Sequence, residues 1–166
     1  MLHTDFQHPD PRNTFISTDI VIAAAGRTAI GKFGGTLAKT TAPELGAAVS
    51  SELLRRAKLS GDQIGEVILG QVLQAGSGQN PARQAVVKGS LPHAVPAMTI
   101  NKVCGSGLNA VMLAAQAIQC GDASVVVAGG TENMTRAPYL LEKGCGGYRL
   151  GHGELIDSLI KDGLWD

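Results

Sequence analysis

Val95-Pro96-Ala97-Met98-Thr99-Ile100-Asn101-Lys102-Val103-Cys104-Gly105-Ser106-Gly107-Leu108-Asn109-Ala110-Val111-Met112 is the stretch that decides the fold. Residues 95–101 read as a strand. A sharp turn at Gly105-Ser106-Gly107 follows, and a helix is expected from Leu108 to Gln119 with Gly121 as its C-cap. No charged side chain lies between Lys102 and Asp122. A thiol is thereby placed where a strand turns into a helix, close to unpaired N–H groups and the positive end of the helix dipole, both of which favour thiolate.

Working outward, the same alternation recurs. Asp19 to Ala25 is a short apolar run ended by Gly26, which predicts a buried strand. Gly31, Gly34 and Gly35 mark a loop. Thr41 with Glu44 three residues later, and Pro43 between them, is a capping-box signature for a helix whose apolar face is Leu45, Ala48, Val49 and Leu53. Val67-Ile68-Leu69 with Val72-Leu73 predicts a second strand, and Asn80-Pro81 opens a short helix closed by Gly89. Val125 to Ala128 is the fourth strand, stopped by Gly129-Gly130. The order βαβαβαβ argues for an α/β fold with a mostly parallel sheet. The pattern divides the chain into a polar tail (1–17), the α/β unit (18–134) and a glycine-rich region (135–166) with a last amphipathic piece at Leu155-Ile156 and Leu159-Ile160.

The third helix carries a size argument. Its polar residues are Asn109, Gln116 and Gln119, all uncharged, while Leu108, Val111, Met112, Ala115 and Ile118 form one stripe. Such a helix is expected to be covered from two directions. The cover would be further polypeptide, or else residues 144–166 folding back over it.

Composition removes several classes. Lys plus Arg and Asp plus Glu number 14 each in 166 residues, so charge gives no argument for nucleic acid or an anionic membrane. Three irregularly spaced cysteines are no disulfide framework and contain no Cys-x-x-Cys redox pair. The N-terminus lacks the apolar core of a secretory signal, and no apolar run is expected to reach bilayer length, so a reducing cytoplasm is the default. No His/Cys/Asp/Glu grouping has metal-ligand spacing. Gly76-Ser77-Gly78 and Gly129-Gly130 are neither P-loop nor dinucleotide fingerprint. Arg27, Arg83 and Arg136 could suggest a phosphate site, but scattered on loops they read as structural ion-pair partners. At Cys104 two readings stand: an inert small hydrophobe, or a nucleophile at the carboxyl edge of the sheet with backbone N–H groups free to polarise a thioester carbonyl.

Ile100 to Val111 closely resembles the nucleophile segment of the thiolases, the acetyl-CoA acetyltransferase family. Ala25 to Gly31, Val67 to Gln71 with Gly78 to Gln84, and Gly121 to Ala123 with Val127 to Met134 resemble that family's flanking strands and helices, so the likeness covers about residues 18 to 164. The resemblance implies a half-domain of a two-halved fold, without the second half and most of the inserted loop region. It implies that Cys104 takes the acyl group from acyl-CoA, and that condensation with acetyl-CoA gives acetoacetyl-CoA, or thiolysis in reverse. The resemblance further implies coenzyme A thioesters as substrates, no bound cofactor, and a homo-oligomer, dimer or tetramer. The family's activating His in a Gly-His-Pro setting has no counterpart here: His8-Pro9 lacks the glycine, and His152 lies in Gly151-His152-Gly153. Its second cysteine has none either, since Cys120 ends a helix and Cys145 lies in a glycine loop, where Lys143 and Arg149 fall in the segment that the resemblance associates with assembly. Negligible condensation is therefore expected from these 166 residues alone. The alternative is a catalytically inactive module of the same fold with a role in assembly.

Overall fold

The computed structural model describes residues 19–166. The polar tail expected over residues 1–17 lies outside the described residues. The capping box forms as read: Thr41 Oγ1 accepts from the Glu44 N–H and Glu44 Oε2 accepts from the Thr41 N–H at 2.8 Å, starting helix α1 (Ala42–Ala57). Strand β1 (Glu66–Gly70) follows, then α2 (Pro81–Lys88), whose N-cap Asn80 accepts from the Arg83 N–H. Strand β2 (Ala97–Ile100) leads through the Cys104 turn into α3 (Ser106–Cys120), and β3 is Val126–Gly130.

The sheet has the order β2-β1-β3 with every pairing parallel, Val67 lying opposite both Ala97 and Val127. The period of two sorts the side chains of β1. Val67 and Leu69 enter the buried cluster with Ala47, Ala82, Ala85 and Val86 of α1 and α2. Gly70, on the other face, meets Ser106 and Gly107 of α3. The result is helices on both faces of a parallel sheet, the α/β class the sequence predicts.

One predicted strand is corrected. Residues 19–25 form no strand; Val21 and Ile22 are exposed, and the Ala25 carbonyl accepts from Arg56 Nη1 at 3.1 Å. An apolar run announces that it wants cover, but a strand also needs an edge to pair with, and none of the described strands pairs with this run. The βαβαβαβ order is thus αβαβαβ among the described residues. Two boundaries differ as well: β1 ends at Gly70 rather than running on to Leu73, and β3 runs through Gly129-Gly130 rather than stopping before them.

The α3 helix lies against β1 and β3 by its small side, with Ser106, Ala110 and Ala114 buried. The large stripe faces outward, Leu108 at 71 % and Met112 at 52 % exposure. Covering each such side chain is worth about 1.5–3 kcal/mol. Residues 144–166 do not supply that cover. Tyr139-Leu140 (β4) and Ile156-Asp157 (β5) form a short antiparallel pair, and the following turn, Ile160–Leu164, sits at the Cys104 end of the helix. Val103–Cys120 also meets the length and hydropathy of a bilayer span, contrary to the expectation that no run would; it is nevertheless laid along a sheet.

Candidate functional site

The chain leaves β2 through a five-residue knot. Val103 has φ +49°, the left-handed region that a β-branched residue rarely enters. Two side chains hold it there. Asn101 Oδ1 accepts from the Val103 N–H at 2.9 Å, and Ser106 Oγ accepts from the Lys102 N–H at 2.8 Å while donating to the Val103 carbonyl. The Gly105 N–H donates back to the Lys102 carbonyl and the Ser106 N–H to that of Val103, both at 3.1 Å. Cys104 is therefore pushed out at the carboxyl end of the parallel strands, exposed and free of any disulfide.

Strain at such a residue amounts to about 1–3 kcal/mol and is kept only where neighbours over-determine it. Val103→Gly removes the Cβ penalty, about 1–2 kcal/mol, and adds glycine's chain entropy, about 0.5–1 kcal/mol. Urea unfolding is expected to find the variant as stable as wild type or up to about 1.5 kcal/mol more stable. A measurable loss of stability would show that the elbow is not strained at Val103.

Three glycines seat the elbow. A Cβ on Gly70 would lie 2.5 Å from Ser106 Cβ and 2.9 Å from Gly107 N, and one on Gly130 would lie 3.2 Å from Gly107 Cα. At Gly70 only bare backbone lets α3 start directly on the end of β1, and at Gly130 a side chain would crowd Gly107 at the end of β3.

Beside the thiol is a cleft of about 390 Å³, its walls including Cys104, Gln71, Glu132, Met134, Leu159 and Gly163. Glu132 crosses from the exit of β3 to that of β1, its Oε2 accepting from the N–H of Val72 at 2.8 Å and of Leu73 at 3.3 Å. Burial pushes its carboxyl above the usual 4.5, against the pull of those two N–H groups. Gln71 continues the ladder, its N–H donating to the Ile100 carbonyl at 3.0 Å. Sequence reasoning passed over both residues. Glu132 was noticed only inside a motif, because its partners are about sixty residues away.

The other candidates fall elsewhere. Cys120 ends α3, Cys145 and His152 lie in the exposed loop, and none of the three lines the cleft. The three arginines meet backbone carbonyls where ion pairs were expected: Arg83 donates to those of Val95 and His93 at 2.9 and 2.7 Å, Arg27 to that of Thr28 at 2.9 Å, and Arg136 to that of Lys39 at 3.5 Å. Lys143 and Arg149 are exposed in the loop before β5.

Comparison with known proteins agrees with this geometry. Residues 20–166 match the family model described as thiolase, N-terminal domain. The chain is 64 % identical over 149 residues to an acetyl-CoA acetyltransferase of Cupriavidus necator, an alignment spanning 90 % of this chain and 38 % of that one. It is 64 % identical over 148 residues to an acetyl-CoA acetyltransferase of Pseudomonas aeruginosa (89 % and 38 %). To a probable acetyl-CoA acyltransferase of Staphylococcus aureus it is 49 % identical over 149 residues (90 % and 38 %). The chain thus spans 38 % of the length of these curated relatives.

Proposed function

The chain belongs to the thiolase family through its N-terminal domain, and from that premise we propose that Cys104 is the nucleophile of an acetyl transfer from acetyl-CoA. The Cys104 thiolate attacks the thioester carbonyl carbon, and the backbone N–H of Cys104 donates to the oxygen that becomes negative. Collapse breaks the bond to the CoA sulfur, which leaves as a thiolate and takes a proton. An acetyl thioester on Sγ remains. In the second half-reaction the enolate carbon of another acetyl-CoA displaces Sγ, giving acetoacetyl-CoA and restoring the thiolate; thiolysis is the reverse.

The observation that carries this reading is the elbow. A strained, side-chain-locked turn holds one exposed thiol over a cleft at the carboxyl ends of parallel strands, where open α/β sheets bind their ligands. The α/β unit at 18–134 carries the nucleophile in this proposal, and residues 135–166 begin an assembly region. The uncovered stripe of α3 favours a second, compatible reading, in which the domain acts in assembly with more polypeptide, its own or another copy's, as a cytoplasmic oligomer. Removing the general acid/base groups of such a reaction lowers rates by about 10²–10⁴ each, so the 166 residues alone are assigned the first half-reaction only.

The test is intact-mass analysis after incubation with acetyl-CoA. One acetyl group per chain is expected, mapped to Cys104 by peptide digestion and released by hydroxylamine. An unmodified chain, or an acetyl group on Cys120 or Cys145 alone, would count against the proposal.

A further inference from the structure

Two buried side-chain oxygens, Oε1 of Gln71 and Oε1 of Glu132, accept no hydrogen bond from any described group. Both residues line the cleft that holds Cys104. Gln71 is 2 % exposed, and its amide orientation is fixed because Nε2 donates to the Leu73 carbonyl at 2.8 Å and to Ser77 Oγ at 3.0 Å. Its Oε1 is therefore a true acceptor without a donor. Glu132 has committed its other oxygen to the N–H groups of Val72 and Leu73. Two buried acceptors left unpaired is an unfavourable arrangement. A single proton relieves it, because a protonated carboxyl has an O–H to give.

No cation among the described residues offsets a charge on Glu132. Among the described residues Cys104, from the α3 elbow, is the one other titratable side chain lining the cleft. In the second cavity that Glu132 borders, Arg27 is the one charged neighbour among the described residues, and its guanidinium donates to the Thr28 carbonyl at 2.9 Å. The exit of β1 (Gln71, Val72, Leu73), the facing side of α1 (Leu45, Val49) and the C-terminal segment (Leu159, Gly163) bring no ionisable group to either wall.

We propose that Glu132 is a positioning residue held as the neutral acid, its Oε1–H supplying the donor that Gln71 Oε1 lacks, so that Cys104 faces an uncharged carboxyl. Burial of the carboxyl works in the same direction. The neutral form braces the two strand exits under the thiol without setting a like charge against the thiolate or the oxyanion that follows it. That consequence rests on the acyl-transfer reading; the protonation itself does not.

The sign of the pH effect is fixed by linkage. A carboxyl raised in the folded state binds its proton more tightly there than in the unfolded chain. Its contribution to stability is complete below the unfolded value and is lost as pH rises through the folded one. Glu132→Gln mimics the neutral acid: its Oε1 keeps the two N–H bonds and its Nε2 supplies the donor. Urea unfolding of the 166-residue chain across pH is the first measurement. The folded-to-unfolded ratio of wild type relative to E132Q is expected to fall about tenfold per pH unit above 4.5, until Glu132 ionises in the folded state. The second measurement needs no variant: the carboxyl ¹³C shift of labelled glutamate in wild type, expected to show one carboxyl with a raised midpoint that is still protonated at neutral pH.

A Glu132 carboxyl already ionised at neutral pH, or a stability ratio that is flat or rises with pH, would overturn the proposal. A water donating to both oxygens with Glu132 ionised would produce that result. A raised midpoint with no acetyl adduct sinks the acyl-transfer reading and leaves this one standing; an adduct with an ordinary midpoint does the reverse.

Discussion

Cys104→Ala is expected to abolish the acetyl adduct, and to lower condensation by a factor on the order of 10⁴–10⁶ once the 166 residues are completed with the remaining sequence of one of the bacterial relatives. The size of the effect follows from the division of labour. A base or an oxyanion donor can be lost with part of the rate intact, but without Sγ there is no atom to carry the acetyl group between the two substrates. Unfolding should be nearly unchanged, because the Cys104 side chain is exposed and makes no hydrogen bond that holds the elbow. The measurements are intact mass for the adduct and acetoacetyl-CoA absorbance for turnover. An alanine variant that keeps a tenth of wild-type turnover would remove Cys104 from the mechanism.

Much of this arrangement was legible because it is local. The capping box at Thr41 and Glu44, the Asn80 cap and the left-handed Gly121 at φ +81° each involve residues within four positions of one another, and each formed as read. The fold class was legible for a related reason: apolar runs alternating with helical stripes leave few packings other than a parallel sheet with helices on its faces. The run at residues 19–25 misled because apolar character is local and edge pairing is not. Gly129-Gly130 misled in the opposite sense. Glycine usually punctuates a strand, but here Gly130 is inside β3 because Gly107 of α3 needs the room.

The turn at Cys104 shows the limit most clearly. Sequence placed the sharp bend on Gly105 and Gly107, the residues that bend freely. The structure puts the left-handed residue at Val103, while Gly105 has an ordinary φ of −83°. What allows this is the pair of locks from Asn101 and Ser106, one a short Asx-type turn and the other a serine reaching back across the bend. Both residue types favour such local bonds, but the sequence does not say which backbone groups they lock. Glu132 was less legible still, since its meaning comes from the strand exit it braces.

Gly70→Ala tests whether that seating matters to the thiol. The new Cβ would fall 2.5 Å from Ser106 Cβ and 2.7 Å from the Ser106 carbonyl carbon, so part of what must move is backbone, not a flexible side chain. Overpacking of this kind is destabilising by about 1–3 kcal/mol, more where the neighbour is rigid. The expected result is a loss of about 3 kcal/mol and a melting temperature lower by roughly 6–12 °C. Relief comes most easily by lifting the first turn of α3 from the sheet. That turn carries Ser106, so the bonds to Lys102 and Val103 loosen with it and Cys104 loses its fixed direction. Acetylation should therefore fall even at temperatures where the variant is fully folded. Gly129→Ala is the control: it adds the same methyl group to a neighbouring strand glycine with nothing within 4 Å, and should be nearly neutral in both measurements. Equal losses in the two variants would mean that alanine is simply tolerated badly at the end of this sheet, and the close approach of α3 would no longer explain how the thiol is held.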